Sequence, residues 1–128
     1  PYPFLKDNTR LPEARLASGE EVIRIISLSR IMLDNIPHIK AYRMNIGDHL
    51  STIAINSGAD DIDGTVGHEE IMHVAGSTTN LNYDSYKLGN LIDSAGQNPV
   101  KRDSTYTRFE PLEIKPKREG KLLPIIGQ

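Results

Sequence analysis

The sequence contains no cysteine and no tryptophan. Without cysteine these residues can form no disulfide, thiolate metal site or cysteine nucleophile, and cannot ligate an iron–sulfur cluster. Long apolar runs are missing too. No stretch approaches the roughly 20 residues that a membrane-spanning helix needs, and the start has no basic segment followed by an apolar one. The expectation is a cytoplasmic chain without a membrane partner. An excess of charge of either sign is also lacking: a net charge of −2 at pH 7 offers no general field for nucleic acid or anionic lipid. No G-x-S-x-G elbow, P-loop or G-x-G-x-x-G turn occurs, so serine-hydrolase, nucleoside-triphosphatase and dinucleotide readings find no support.

What is present is the composition of a globular domain, with 128 residues, 38% of them hydrophobic and 25% charged. The opening phrase, Pro1-Tyr2-Pro3-Phe4-Leu5, is extended and apolar and reads as a truncated start. Ser18 and Glu21 have capping-box spacing and predict a helix over 19–34, ended by Asn35-Ile36-Pro37. Its apolar stripe, Val22, Ile25, Ile26 and Leu33 widened by Ile23, Leu28, Ile31 and Met32, predicts a largely buried helix. An extended segment is expected at 39–42. A helix from about residue 48 follows, with Leu50, Ile53, Ala54 and Ser57 on one face and Gly58 as its stop. Further on, a strand is expected at 61–63, a short helix at 68–74 before Gly76, a helix through Leu88, Leu91, Ile92 and Ala95 before Gly96, and an edge strand at 99–102.

Strands alternating with helices argue for an α/β fold of βα units around a parallel sheet. About three parallel strands would leave two open edges, natural in the last part of an eight-stranded barrel but poor for an independent domain. The expected division is a barrel portion at 1–107 and an irregular tail at 108–128. That tail holds Pro111, Pro116 and Pro124, and its Lys115, Lys117, Arg118 and Lys121 are interleaved with Glu110, Glu113 and Glu119. Such mixed charge suits a solvated tail that packs Leu122, Leu123, Ile125 and Ile126 on a neighbour rather than nucleic-acid binding.

The densest polar cluster is Asp60-Asp61-Ile62-Asp63-Gly64-Thr65, at the end of a predicted strand, where barrels place their active sites. On a strand Asp61 and Asp63 point to one side. The alternative is structural, with carboxylates capping the next helix and holding loop amides. A calcium loop can be laid over Asp61, Asp63, Gly64 and Glu70, but Ala59 then occupies the essential first position. His68 and His73 lie five apart, so on a helix their rings diverge by about 140° and do not share a zinc ion. No metal site is expected.

Three phrases, Ser29 to Tyr42, Gly58 to Val66 and Ala95 to Asp103, together with Pro3-Phe4 and Asp7-Asn8-Thr9-Arg10, resemble the C-terminal half of the aminodeoxyfutalosine synthase family of radical S-adenosylmethionine (SAM) enzymes. The resemblance covers roughly Pro1 to Tyr106. Related enzymes of menaquinone and deazaflavin synthesis carry Asn-Asp in place of Asp60-Asp61 and lack Asp63 in the same frame, which favours the synthase. The resemblance implies the C-terminal βα units of a TIM-type barrel whose 4Fe–4S cluster sits on a C-x3-C-x2-C loop absent from this chain. It implies S-adenosylmethionine as cofactor and addition of a 5′-deoxyadenosyl radical to 3-((1-carboxyvinyl)oxy)benzoate, forming aminodeoxyfutalosine for menaquinone. Partners would be the N-terminal part of the same barrel and a small-molecule substrate, with self-association through an open sheet edge as a further contact. Asp63 is then expected to be catalytic. Asn8, Thr9, Arg30, His38, Tyr42, Asn45, Asp61, Thr65 and Glu69 are expected to bind substrate or SAM, with Arg30 alternatively paired to Asp34. Substitution of Asp63 by Asn is expected to lower turnover with little loss of folding stability. Two departures stand out: Arg43-Met44 where an aromatic commonly follows Tyr42, and Gly67-His68 in place of a hydrophobic–Glu pair. The rival reading is a non-catalytic binding or assembly module derived from such a barrel.

Overall fold

The capping box forms as its spacing predicts: Ser18 Oγ accepts the Glu21 amide at 3.2 Å, and the Glu21 carboxylate accepts the Ser18 amide at 2.8 Å. Helix α1 (Gly19–Met32) follows. In this computed structural model, which describes residues 1–66, 68 and 70–114, the remaining elements are β1 (Lys40–Ala41), α2 (Arg43–Ile55), β2 (Asp61–Ile62), α3 (Glu70–Val74), α4 (Ser85–Ser94), β3 (Val100–Arg102) and β4 (Phe109–Pro111).

Strands β1 and β2 are parallel, with Lys40 opposite Asp61 and Ala41 opposite Ile62, and α2 is the crossover between them. The helix touches α1, α4, β1 and β2. Small residues on its inner side permit that approach, since Ser51 and Ala54 are wholly buried. The core is made by Val22 and Ile26 from α1, Ile39, Ala41 and Ile62 around the strands, Ala54, Ala59 and Leu88. Gly58 lets α1 lie close to the turn before β2. Its φ is +120°, and a Cβ there would stand 2.9 Å from Cβ of Arg30.

Asp60 ties the amino-terminal ends of the two strands together. Its Oδ1 accepts the Ile39 amide at 2.7 Å and Arg30 Nη2 at 2.5 Å, while Oδ2 lies 2.7 Å from His38 Nδ1. Arg30 also donates to the carbonyls of Gly58 and Pro37. Its ion-pair partner is thus Asp60 across the fold rather than Asp34 one helical turn away.

Several expectations are corrected. Helix α2 starts at Arg43, earlier than its apolar stripe suggests, and Gly47, at φ 82°, breaks it just before the predicted portion. Strand β2 ends at Ile62, so Asp63 lies beyond it. The 99–102 region is not a third parallel strand, because β3 pairs antiparallel with β4. The turn between them is built on Asp103, whose carboxylate accepts the amides of Thr107 and Arg108 and the hydroxyls of Thr105 and Thr107. Strand β4 lies in the segment expected to be an irregular tail, and residues 115–128 fall outside the described residues. Helix α1 is buried on one side only: Val22 and Ile26 face the core, whereas Ile25, Leu28 and Met32 form an exposed stripe.

Two substitutions test this frame. Gly58→Ala should cost about 1–3 kcal/mol in urea unfolding, since it adds both a strained φ and a contact with Arg30. For Asp60, burial alone would push the carboxyl up, but the Ile39 amide, His38 and Arg30 hold it below 3.8. A depressed folded value stabilises above the unfolded value and is lost as pH falls through the folded one. Asp60→Asn should therefore cost about 1–2 kcal/mol at pH 7, discounted for its partial exposure. Its difference from the unaltered protein should shrink in urea titrations repeated below pH 3.8.

Candidate functional site

The first turn of α2 needs acceptors for its free amides, and its N-cap residue, Tyr42, makes no side-chain capping bond. Asp63 supplies one from the end of β2, its Oδ1 accepting the Arg43 amide in a short hydrogen bond. The carboxylate is 4% exposed, and Oδ2 lies 3.7 Å from Arg43 Nε. Neither of those two atoms has a hydrogen-bond partner. Burial pushes the Asp63 carboxyl up, against the opposing pull of the Arg43 charge and the Arg43 and Met44 amides.

Arg43 is wholly buried and joins the surrounding segments. Nη1 reaches Asp48 Oδ1 at 2.9 Å and the Asn80 carbonyl at 3.2 Å, and the guanidinium lies 4.4 Å from the centre of the Tyr83 ring. Tyr83 in turn donates to Asp48 Oδ2 at 2.5 Å, and that bond, with burial, pushes its hydroxyl up. Ser77 Oγ donates to the Met44 carbonyl at 2.6 Å, so the 77–83 loop is fastened over the start of α2. Over the same end runs the opening phrase: Tyr2 stacks on Tyr42 at 4.9 Å, and Asn45 Nδ2 donates to the Pro3 carbonyl at 2.9 Å.

A second cluster hangs from Asp61. Arg102 grips its carboxylate with Nε and Nη2 at 2.9 and 2.7 Å, and the Tyr106 hydroxyl donates to Oδ2 at 2.5 Å. Burial and Asp61 push that hydroxyl up to about 12. His38 stacks on the Tyr106 ring at 4.3 Å. Between β2, α4 and the β3–β4 hairpin lies a cavity of about 690 Å³ lined by every residue from Ala59 to Thr65. Side chains alternate across a strand, so lining by consecutive residues places this cavity along the free edge of β2.

The expected site residues therefore separate. Tyr42, Asn45 and Asp63 gather at the carboxyl end of the parallel pair, and exposed Thr65 follows Asp63 on the loop. Asn8 and Thr9 shape the turn that lies on α3, with Asn8 Nδ2 donating to the Val74 carbonyl at 2.8 Å and Thr9 Oγ1 to the Lys6 carbonyl. Arg30 and His38 sit at the opposite, amino-terminal end on Asp60. Asp61 and Asp63 do not converge, since one is held by the hairpin and the other by α2. Glu69 lies outside the described residues. His73 Nε2 meets the Thr79 carbonyl while exposed His68 pairs with Glu70, and among the described residues no three His, Asp or Glu side chains form a metal-binding group. No helix among them is long and apolar enough to cross a membrane. Arg43 is the residue that pattern reading missed; a cation directly after a short strand, near a carboxylate that ends the next one, is the available signal.

Residues 1–114 match the model of the CofH/MqnC C-terminal region, and the chain belongs to that family. It is 34% identical over 110 residues to an aminodeoxyfutalosine synthase of Thermus thermophilus, an alignment covering 83% of this chain and 30% of that protein. An aminodeoxyfutalosine synthase of Streptomyces coelicolor is 35% identical over 102 residues, 77% of this chain and 26% of the relative. A 5-amino-6-(D-ribitylamino)uracil–L-tyrosine 4-hydroxyphenyl transferase of Methanosarcina barkeri is 29% identical over 119 residues, 88% of this chain and 31% of the relative. The chain thus spans about 30% of the Thermus relative's length.

The burial of Asp63 changes what its substitution should do. Asp63→Asn keeps an oxygen for the Arg43 amide but removes the charge facing the guanidinium and can set an amide donor against Arg43 Nε. Removing one partner of a buried pair is costly, so the variant should lose about 2–4 kcal/mol in denaturant unfolding at pH 7. A loss below about 0.5 kcal/mol would show that the pair contributes nothing to the fold.

Proposed function

We propose that the chain forms the last βα units of a cytoplasmic radical SAM α/β barrel enzyme that makes aminodeoxyfutalosine for menaquinone synthesis. The reaction would break the C5′–S bond of S-adenosylmethionine, releasing methionine, and join the 5′-deoxyadenosyl group to the enol-ether alkene of 3-((1-carboxyvinyl)oxy)benzoate, whose carboxylate leaves as bicarbonate with water, the electron that opens S-adenosylmethionine being returned at the end. The observation that supports it most is the family match over residues 1–114, joined by two relatives named for that activity. Within the family, the frame Asp60-Asp61-Ile62-Asp63 favours the synthase over its cousins.

The geometry agrees with a barrel portion because both flanks of the β1–β2 pair are unfinished. On one flank α1 exposes Ile25, Leu28 and Met32; on the other the groove follows the edge of β2. The N-terminal part of the same barrel would cover them, and a second copy of the chain is the alternative occupant. The family's 4Fe–4S cluster does not fit the residues present, since the chain has no cysteine. The N-terminal part of the barrel would hold it.

What this chain contributes is a wall at the carboxyl end of the parallel pair. Its task is to orient an anionic aromatic substrate and a ribose with fixed hydrogen-bonding groups, because alignment lowers the barrier without new chemistry. Tyr42 and Asn45 are held there by the opening phrase and Asp63 by the start of α2, and exposed Thr65 follows Asp63 on the loop.

The full-length protein, reduced anaerobically with SAM and the benzoate enol ether, should form aminodeoxyfutalosine by mass spectrometry. Turnover of tyrosine with 5-amino-6-(D-ribitylamino)uracil instead would replace the synthase reading by the transferase one.

A further inference from the structure

We propose that Arg43 is a positioning residue for the Asp63 carboxylate: its main-chain amide holds one oxygen, and its guanidinium Nε fixes the other. The role in turnover rests on the proposed function above; the geometry does not. Arg43 Nε and Asp63 Oδ2 are 3.7 Å apart and buried without hydrogen-bond partners. A donor and an acceptor left facing one another in this way are joined by a shift of less than about 1 Å.

The guanidinium is not free to turn elsewhere. Asp48 and the Asn80 carbonyl hold Nη1, Met44 Sδ meets Nη2, and the Tyr83 ring covers the plane at 4.4 Å. With the terminal nitrogens occupied on the far side, Nε is the donor left for the carboxylate. The groups around Asp63 make the arrangement asymmetric. Arg43 is the cation facing it from α2, and Asp48 approaches the guanidinium from the next turn. The 77–83 loop adds a carbonyl, hydroxyls and the Tyr83 hydroxyl, the last spent on Asp48. Asp48 keeps part of its surface in solvent, whereas Asp63 does not. The buried carboxylate therefore depends on Arg43 for its charge and orientation more than Asp48 does.

The test follows Asp63 itself in the full-length protein, by the ¹³Cγ signal of labelled aspartate assigned with Asp63→Asn. In the unaltered protein the Arg43 Nε–H resonance should shift in step with Asp63 titration. Arg43→Gln should move that titration up by about one pH unit or more, and Arg43→Lys should restore most of the change. Tyr83→Phe, which removes the hydroxyl bond to Asp48, should leave it where it was. If the proposed reaction is present, the acid limb of kcat/KM should follow the same order. An Arg43 Nε–H signal indifferent to Asp63, or an Asp63 titration unmoved in a folded Arg43→Gln, overturns the inference. The Nε measurement needs no variant, so failure of Arg43→Gln to fold does not remove the test. Coupling without aminodeoxyfutalosine formation would instead discard the functional reading and leave the Arg43 assignment in place.

Discussion

The start of α2 has no cap in its own sequence, and much of the surrounding geometry follows from how that lack is met. β1 ends at Ala41 and α2 begins at Arg43, and the N-cap position between them is held by Tyr42, which makes no side-chain capping bond. The acceptor comes from the neighbouring strand, where Asp63 stands just past the end of β2. A cap supplied across the sheet works only if β1 and β2 end level, and the register of Ala41 against Ile62 delivers that. Because the capping group is charged and buried, it calls for a cation nearby. Arg43, the residue being capped, provides it.

The two ends of the parallel pair use carboxylates differently. At the amino-terminal end Asp60 is partly exposed, fully engaged and held in its ionised form by Arg30, His38 and an amide. At the carboxyl end Asp63 is buried, half engaged and pushed toward protonation. One arrangement gives both carboxylate oxygens a partner, whereas the other leaves Asp63 Oδ2 unpaired 3.7 Å from Arg43 Nε.

How much of this is legible in the sequence depends on the range over which each signal acts. The capping box of Ser18 and Glu21, the stop at Gly58 and the turn at Gly96 are local, and all three stand where the spacing puts them. The early start of α2 is not local, because its cause is Asp63, 20 residues away in the chain. Arg30 shows the same limit: Asp34 is its natural partner on a helical wheel, yet Asp60 meets it because the glycine at 58 brings the two segments together. The antiparallel hairpin was hidden for a different reason. Asp103-Ser104-Thr105-Tyr106-Thr107 is a chain of side-chain acceptors and hydroxyls that builds a turn, a pattern weaker to the eye than a glycine pair.

That hairpin also explains why the edge of β2 stays open. It is fastened to β2 by side chains, with the fork of Arg102 and the hydroxyl of Tyr106 on Asp61, and no ladder between β2 and β3 is formed. A hairpin that paired along β2 would finish the sheet. Held at side-chain length instead, it leaves a groove beside the strand with Leu88 and Ile92 of α4 in its wall. The bidentate grip makes that spacing definite, since a planar guanidinium on a carboxylate fixes both distance and orientation. The groove is thus a consequence of where Arg102 holds the hairpin, and the backbone groups along the free edge of β2 define what an extended segment lying there would have to match.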